Sequence, residues 1–84
     1  MDVNNIKPGT VLSPKELGAM ARALRKDAQD TQEDAAGKLD ISQSVISRVE
    51  KGEQRYIAVC IRMIEMYSDF SVDYPVCQIK KSDS

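Results

Sequence analysis

Apolar positions fall at helical spacing in four stretches of this chain, with turn-forming residues between them. In the first stretch Leu17, Met20, Ala21, Leu24 and Ala28 line one side of a helix predicted from Pro14 to about Asp27. Its start is marked by Ser13 as N-cap, Pro14 at the first helical position and Glu16 closing a capping box. Thr31 caps the second helix, with Asp34 three residues on, and Ala35, Ala36 and Leu39 give it a short, small-residue face. Gly37 within it costs roughly 1 kcal/mol against alanine, for no evident reason. Asp40 falls in the next turn, where a left-handed residue is expected. Ser42 caps a third helix that ends near Lys51-Gly52 with Gly52 as its C-cap. Glu53 to Arg55 reads as a loop. A fourth helix, about Tyr56 to Tyr67, points Ile57, Cys60, Ile61, Ile64 and either Met63 or Tyr67 inward.

Both ends break this pattern. Met1 to Leu12 lacks periodicity and reads as a flexible arm. After the fourth helix the period changes to two, with Phe70, Val72, Tyr74 and Val76 alternating with polar or turn residues, as in a half-buried strand. Pro75 restricts such a strand to an edge or a short ribbon. A lone strand beside four helices has no mate within one chain, so these four residues are expected to pair with the same strand of a second copy. The predicted fold is all-α, four helices plus a short C-terminal strand. Its divisions are an arm (1–12), a helical domain (13–68), a strand and dimerisation tail (69–79), and a disordered end (80–84).

Composition narrows the function classes. With 84 residues there is room for one small core. The chain has two cysteines and no histidine, and Cys60 and Cys77 lack metal-ligand spacing, so no metal or cofactor is expected. No nucleophile–base constellation can be assembled, which speaks against an enzyme. No apolar run of membrane-spanning length and no signal peptide is evident, which points to a cytoplasmic protein with reduced thiols and no membrane contact. Cys60, Met20, Met63 and Met66 read as core filler. Net charge is −1, unusual for a nucleic-acid binder, but Arg48, Lys51 and Arg55 cluster on or just after the third helix.

The second and third helices, joined by a tight turn, have the build of a helix-turn-helix, whose second helix enters the DNA major groove. Its N-terminal turns present Gln43, Ser44 and Ser47, with Arg48 one turn beyond Ser44. Gln can pair bidentately with adenine, and Arg with guanine. Thr31 and Gln32, at the start of the second helix, are placed to meet a phosphate, and Lys51 and Arg55 add cationic backbone contacts. The bland alternative makes Gln32 and Gln43 merely exposed helix-start residues; their separation by one helix plus a turn weighs against it. Arg25 sits at the edge of the buried stripe and needs a carboxylate, for which Glu50 is the best candidate: a structural ion pair rather than a DNA contact.

From Leu24-Arg25 to Gly52 the chain resembles the Cro/phage-repressor (XRE) class of lambda-repressor-like helix-turn-helix domains. The resemblance rests on Thr31-Gln-Glu-Asp-Ala-Ala36 and Ile41-Ser-Gln-Ser-Val-Ile-Ser-Arg-Val-Glu-Lys-Gly52, and the flanking helices extend it to Pro14–Tyr67. It implies a phosphate clamp at Gln32, base-facing roles for Gln43, Ser44, Ser47 and Arg48, and a buried Arg25–Glu50 pair. Asp40 departs from the glycine usual at that turn. A narrower likeness, in the Ser13-Pro14 start and the single terminal strand, is to HipB-type antitoxins. These are dimeric autorepressors that bind a HipA-like serine/threonine kinase toxin. The expected function is therefore a sequence-specific, autoregulatory transcriptional repressor, a homodimer on a palindromic double-stranded DNA operator, with such a kinase as partner. The alternatives are a phage-type or restriction-controller regulator without a toxin, and a protein-interaction adaptor that has lost DNA binding.

Overall fold

The computed structural model describes Gly9, residues 11–73 and residues 78–81. The expected all-α architecture holds. Its helices are α1 (Pro14–Asp27), α2 (Gln32–Leu39), α3 (Gln43–Glu50) and α4 (Ile57–Tyr67), with a 3₁₀ turn at Gln54–Tyr56 before α4. Two short strands follow, β1 (Phe70–Asp73) and β2 (Gln78–Lys81).

Local chemistry sets these boundaries. Ser13 and Thr31 each form a complete capping box, with Glu16 and Asp34 respectively. The Ser13 contacts hold the Glu16 carboxyl below its ordinary pKa. Ser42 caps α3 by accepting from the Val45 N–H. All three helices close in one way, with the chain's sixth-to-first hydrogen bond and a left-handed residue before it. Asp30 N–H donates to the Arg25 carbonyl, Ile41 to Ala36, and Glu53 to Arg48. The left-handed residues are Gln29 (φ 61°), Asp40 (φ 57°) and Gly52 (φ 81°). The departure at Asp40 is thus a left-handed aspartate in an intact helix ending.

The core joins one stripe from each helix. Leu17, Met20, Ile46, Val49, Met63 and Ile64 are essentially sealed from solvent, with Ala35, Leu39 and Cys60 beside them. The α1–α3 crossing is especially close. A β-carbon at Gly18 would lie 2.6 Å from the Val49 carbonyl oxygen and 2.8 Å from the Gly52 nitrogen. One at Gly52 would lie 2.5 Å from the Lys15 Cα. By contrast Gly37 has nothing within 4 Å of where its β-carbon would stand. In α4, Cys60, Met63 and Ile64 face inward. Ile57 and Ile61, expected there too, are only half-buried, because the helix turns its 60–63–64 side to the core.

The C-terminal end differs from the sequence expectation. β1 finds its mate in its own chain: it pairs antiparallel with β2, Phe70 opposite Lys81 and Val72 opposite Ile79. Val72 and Ile79 both enter the core, at 8 % and 0 % exposure. Of the four alternating residues, Phe70 and Val72 lie in β1. Tyr74 and Val76, expected in a dimer-pairing strand, lie outside the described residues, as does Cys77. Lys80 and Lys81, expected to be disordered, belong to β2. The segment read as a flexible arm is tied down at its end: Gly9 N–H donates to the Ile79 carbonyl at 2.6 Å and Leu12 is buried. On the other side of the pair, the Val72 N–H donates to the Glu65 carboxylate of α4. Two backbone groups that a second copy's strand would need are therefore already taken. Among the described residues no helix is long and apolar enough to cross a membrane.

Candidate nucleic-acid interface

α3 has two sides with opposite characters. Ile46 and Val49 anchor it, at 0 % and 1 % exposure. Gln43, Ser44 and Arg48 are exposed on the other side, with Ser47 half-exposed beside them. At 100° per residue these four positions span less than half the helix circumference and share one face. Ser44 Oγ lies 3.1 Å from the capping Ser42 Oγ. Ser42 thus ties down the hydroxyl of Ser44 as well as the first turn of the backbone.

The Arg25–Glu50 pair is present and is bidentate. Arg25 Nε donates to Glu50 Oε2 at 2.6 Å, and Nη2 to Oε1 at 3.0 Å. The two side chains are 8 % and 3 % exposed. Arg25 Nη1 also donates to the Asp30 carbonyl, so one guanidinium joins α1, the α1–α2 turn and α3. The Glu50 carboxylate raises the Arg25 pKa above its ordinary value.

Gln32 begins α2 as expected, but it has a partner that no sequence spacing announced. Its Nε2 donates to Glu50 Oε1 at 3.2 Å, so the Arg25–Glu50 pair aims the amide. Gln32, Ser47, Glu50, Lys51 and Arg22 together line a cleft of about 270 Å³ where α1, α2 and α3 meet. Three of the proposed contacts, Gln32, Ser47 and Lys51, thus come together there. The Thr31 backbone N–H is taken by the Asp34 carboxylate at 2.8 Å, leaving its hydroxyl proton as the free donor. Arg55 is not part of the cleft. It sits on the 3₁₀ turn with its guanidinium 5.7 Å from the Tyr56 ring centroid, at cation–π range.

A second polar cluster lies behind the motif. Asp30 accepts from Lys38 and from the Tyr67 hydroxyl, the latter at 2.6 Å, and Lys38 also stands over the Tyr67 ring. The Lys38 contact, then that of Tyr67, lowers the Asp30 pKa; burial first, then Asp30, raises that of Tyr67. This cluster pins the end of α4 to the α1–α2 turn, and no sequence spacing announced it. Among the described residues no group of three potential metal ligands is found.

A family model described as "Helix-turn-helix domain" matches residues 16–67, more than half of the chain and nearly the whole of α1 to α4. No curated protein matches the chain.

Proposed function

The chain belongs to the helix-turn-helix domain family, and on that premise we propose that it is a sequence-specific transcriptional repressor, acting as a homodimer on a palindromic operator. The observation that carries this reading is the outer face of α3. Gln43 and Arg48, the side chains best suited to adenine and guanine, stand exposed there without an intramolecular partner among the described residues. Gln43, Ser44, Ser47 and Arg48 read bases. Gln32, the Thr31 hydroxyl, Lys51 and Arg55 hold phosphates.

The size of the protein supports two copies. Its longest extent is 30 Å, whereas successive major-groove half-sites on one face of DNA lie about 34–36 Å apart. One copy therefore serves one half-site, and a single small module buries too little surface for tight specific binding. The net charge of −1 limits non-specific affinity and leaves more of the binding to base contacts. A dimeric autorepressor with a kinase toxin partner draws less support. Its single terminal strand is replaced by a strand pair within the chain, so that likeness rests on the Ser13-Pro14 start.

Selection of duplexes from a random pool tests the reading. The protein should enrich one palindromic sequence. Gln43→Ala should lose about 1–3 kcal/mol per half-site and relax preference at one base position. Gln32→Ala should weaken binding to all sequences alike. A protein that enriches nothing, or a Gln43→Ala variant with unchanged preference and affinity, would refute the groove assignment.

A further inference from the structure

α1 carries a basic stripe on its solvent side. Lys15, Ala19, Arg22 and Lys26 recur at spacings of four, three and four, and all are exposed. Arg22 is the member nearest the motif. Its side chain is 57 % exposed, and its Nε lies 4.0 Å from Glu50 Oε1, too far for a hydrogen bond. It lines the cleft shared with Gln32, Ser47, Glu50 and Lys51, and on its other side a second cleft of about 260 Å³ with Ala19, Ala23, Lys26 and Glu50.

The carboxylate at the floor of these clefts does not need Arg22. Both Glu50 oxygens accept from Arg25, and Oε1 also accepts from Gln32. With that single negative charge offset by Arg25, the cations of Arg22 and Lys51 are left in surplus around the first cleft. The Gln32 amide adds a neutral donor to the same cleft. Cations at the rim, a neutral donor and a neutralised floor suit phosphate oxygens, and a guanidinium fork can engage two of them.

Resting on the DNA reading above, we propose that Arg22 holds a backbone phosphate of duplex DNA in this cleft, opposite Lys51. The DNA footprint then extends from the helix-turn-helix onto the first helix. Arg22 acts on every sequence alike and fixes how α3 sits in the groove. It is not a second counterion for Glu50, and the fold does not depend on it.

The test measures binding of the full chain to random-sequence duplex DNA by fluorescence anisotropy over a salt series, for the unmodified protein, Arg22→Gln and Arg22→Lys. Each phosphate contact contributes about 0.9 to the slope of log affinity against log salt. Arg22→Gln should lower the slope by about that amount, with an unchanged melting temperature. Arg22→Lys should keep most of the slope. An Arg22→Gln slope equal to that of the unmodified chain overturns the assignment, as does equal loss of melting temperature in both variants, which would mark a scaffold role. Inorganic phosphate titrated at constant ionic strength separates the DNA backbone from a free anion. Saturable phosphate binding abolished by Arg22→Gln would make this a free-phosphate site and overturn the proposal. If the unmodified chain shows no salt-dependent binding to any duplex, the DNA reading itself falls. If it binds and only the Arg22 slope is unchanged, that reading stands and the Arg22 assignment alone is lost.

Discussion

Arg48 and Glu50 are two residues apart on α3, yet they belong to regions built on opposite terms. The inner edge of the helix is satisfied from within the chain. The Glu50 side chain is 3 % exposed and bonded to groups from α1 and α2, and Val49 beside it is sealed. The outer face is left open: among the described residues the side chains of Gln43 and Arg48 have no partner, and that of Ser44 has only the capping Ser42 hydroxyl. A buried polar group must find its partner on folding, because an unpaired one costs more than a hydrogen bond gains. An exposed one can wait for a partner from outside. Substitutions on the inner edge should therefore act on stability, and those on the outer face on binding.

The hardest blow to the inner edge is Arg25→Met. It strands a buried carboxylate and also removes the donor to the Asp30 carbonyl. Breaking one side of a buried ion pair costs about 3–5 kcal/mol. Arg25→Met combined with Glu50→Leu should recover much of that loss, because no buried charge remains unpaired. Chemical denaturation of the single and double variants measures both, and a double variant no more stable than the single would remove the pairing argument. On the outer face, Gln43→Ala should leave stability within about 0.5 kcal/mol of the unmodified chain. A larger change would mean that Gln43 serves the fold as well.

Next in size is Gly18→Ala. The added carbon meets backbone atoms of Val49 and Gly52, which cannot swing aside as a flexible side chain would. Separating α1 from α3 should cost about 1–3 kcal/mol, the usual range for overpacking. Gly37→Ala runs the other way. Its site is open and its φ is not left-handed, so about 1 kcal/mol of stabilisation is expected. Thermal melts of the two variants should move in opposite directions. A rise in both would show that helix propensity, not interhelical space, governs both sites.

The same contrast explains what the sequence could and could not reveal. Caps and stripes are local, so Ser13, Thr31 and Ser42 mark their helix starts, and α1 ends at Asp27 as its pattern predicts. The Arg25–Glu50 pair is legible because a charge on the edge of an apolar stripe demands a partner. The Gln32–Glu50 bond and the Asp30–Lys38–Tyr67 cluster join residues of different elements with no shared period, so nothing local marks them. Arg22 lies on the side of α1 opposite Leu17, Met20 and Leu24, where a cation at helical spacing reads equally as a solvated face, so the pattern alone gives it no ligand. At the tail, β2 has one core residue, Ile79, among polar ones, too little alternation to register beside the stronger run from Phe70 to Val76.

The smallest expected effect lies at the rim, where Asp30 has partners inside the chain but remains near water. Its carboxyl is held below the ordinary range, first by Lys38 and then by the Tyr67 hydroxyl. A lowered pKa in the folded state means that the charged form stabilises the fold. That contribution is full above the unfolded value, about 3.9 for aspartate, and is lost as pH falls through the folded value. Asp30→Asn keeps an oxygen able to accept from Tyr67 and Lys38 while removing the charge. The variant should therefore be less stable than the unmodified chain near neutrality, and the gap should close as acid protonates Asp30. Taking the difference between the two proteins at each pH cancels other acids, including Glu16, whose pKa is lowered by its Ser13 cap. Urea denaturation from neutral pH down into the acid range measures the gap. A constant gap would mean that hydrogen-bond geometry, not charge, is what Asp30 supplies, and the rim would then follow the rule of the inner edge.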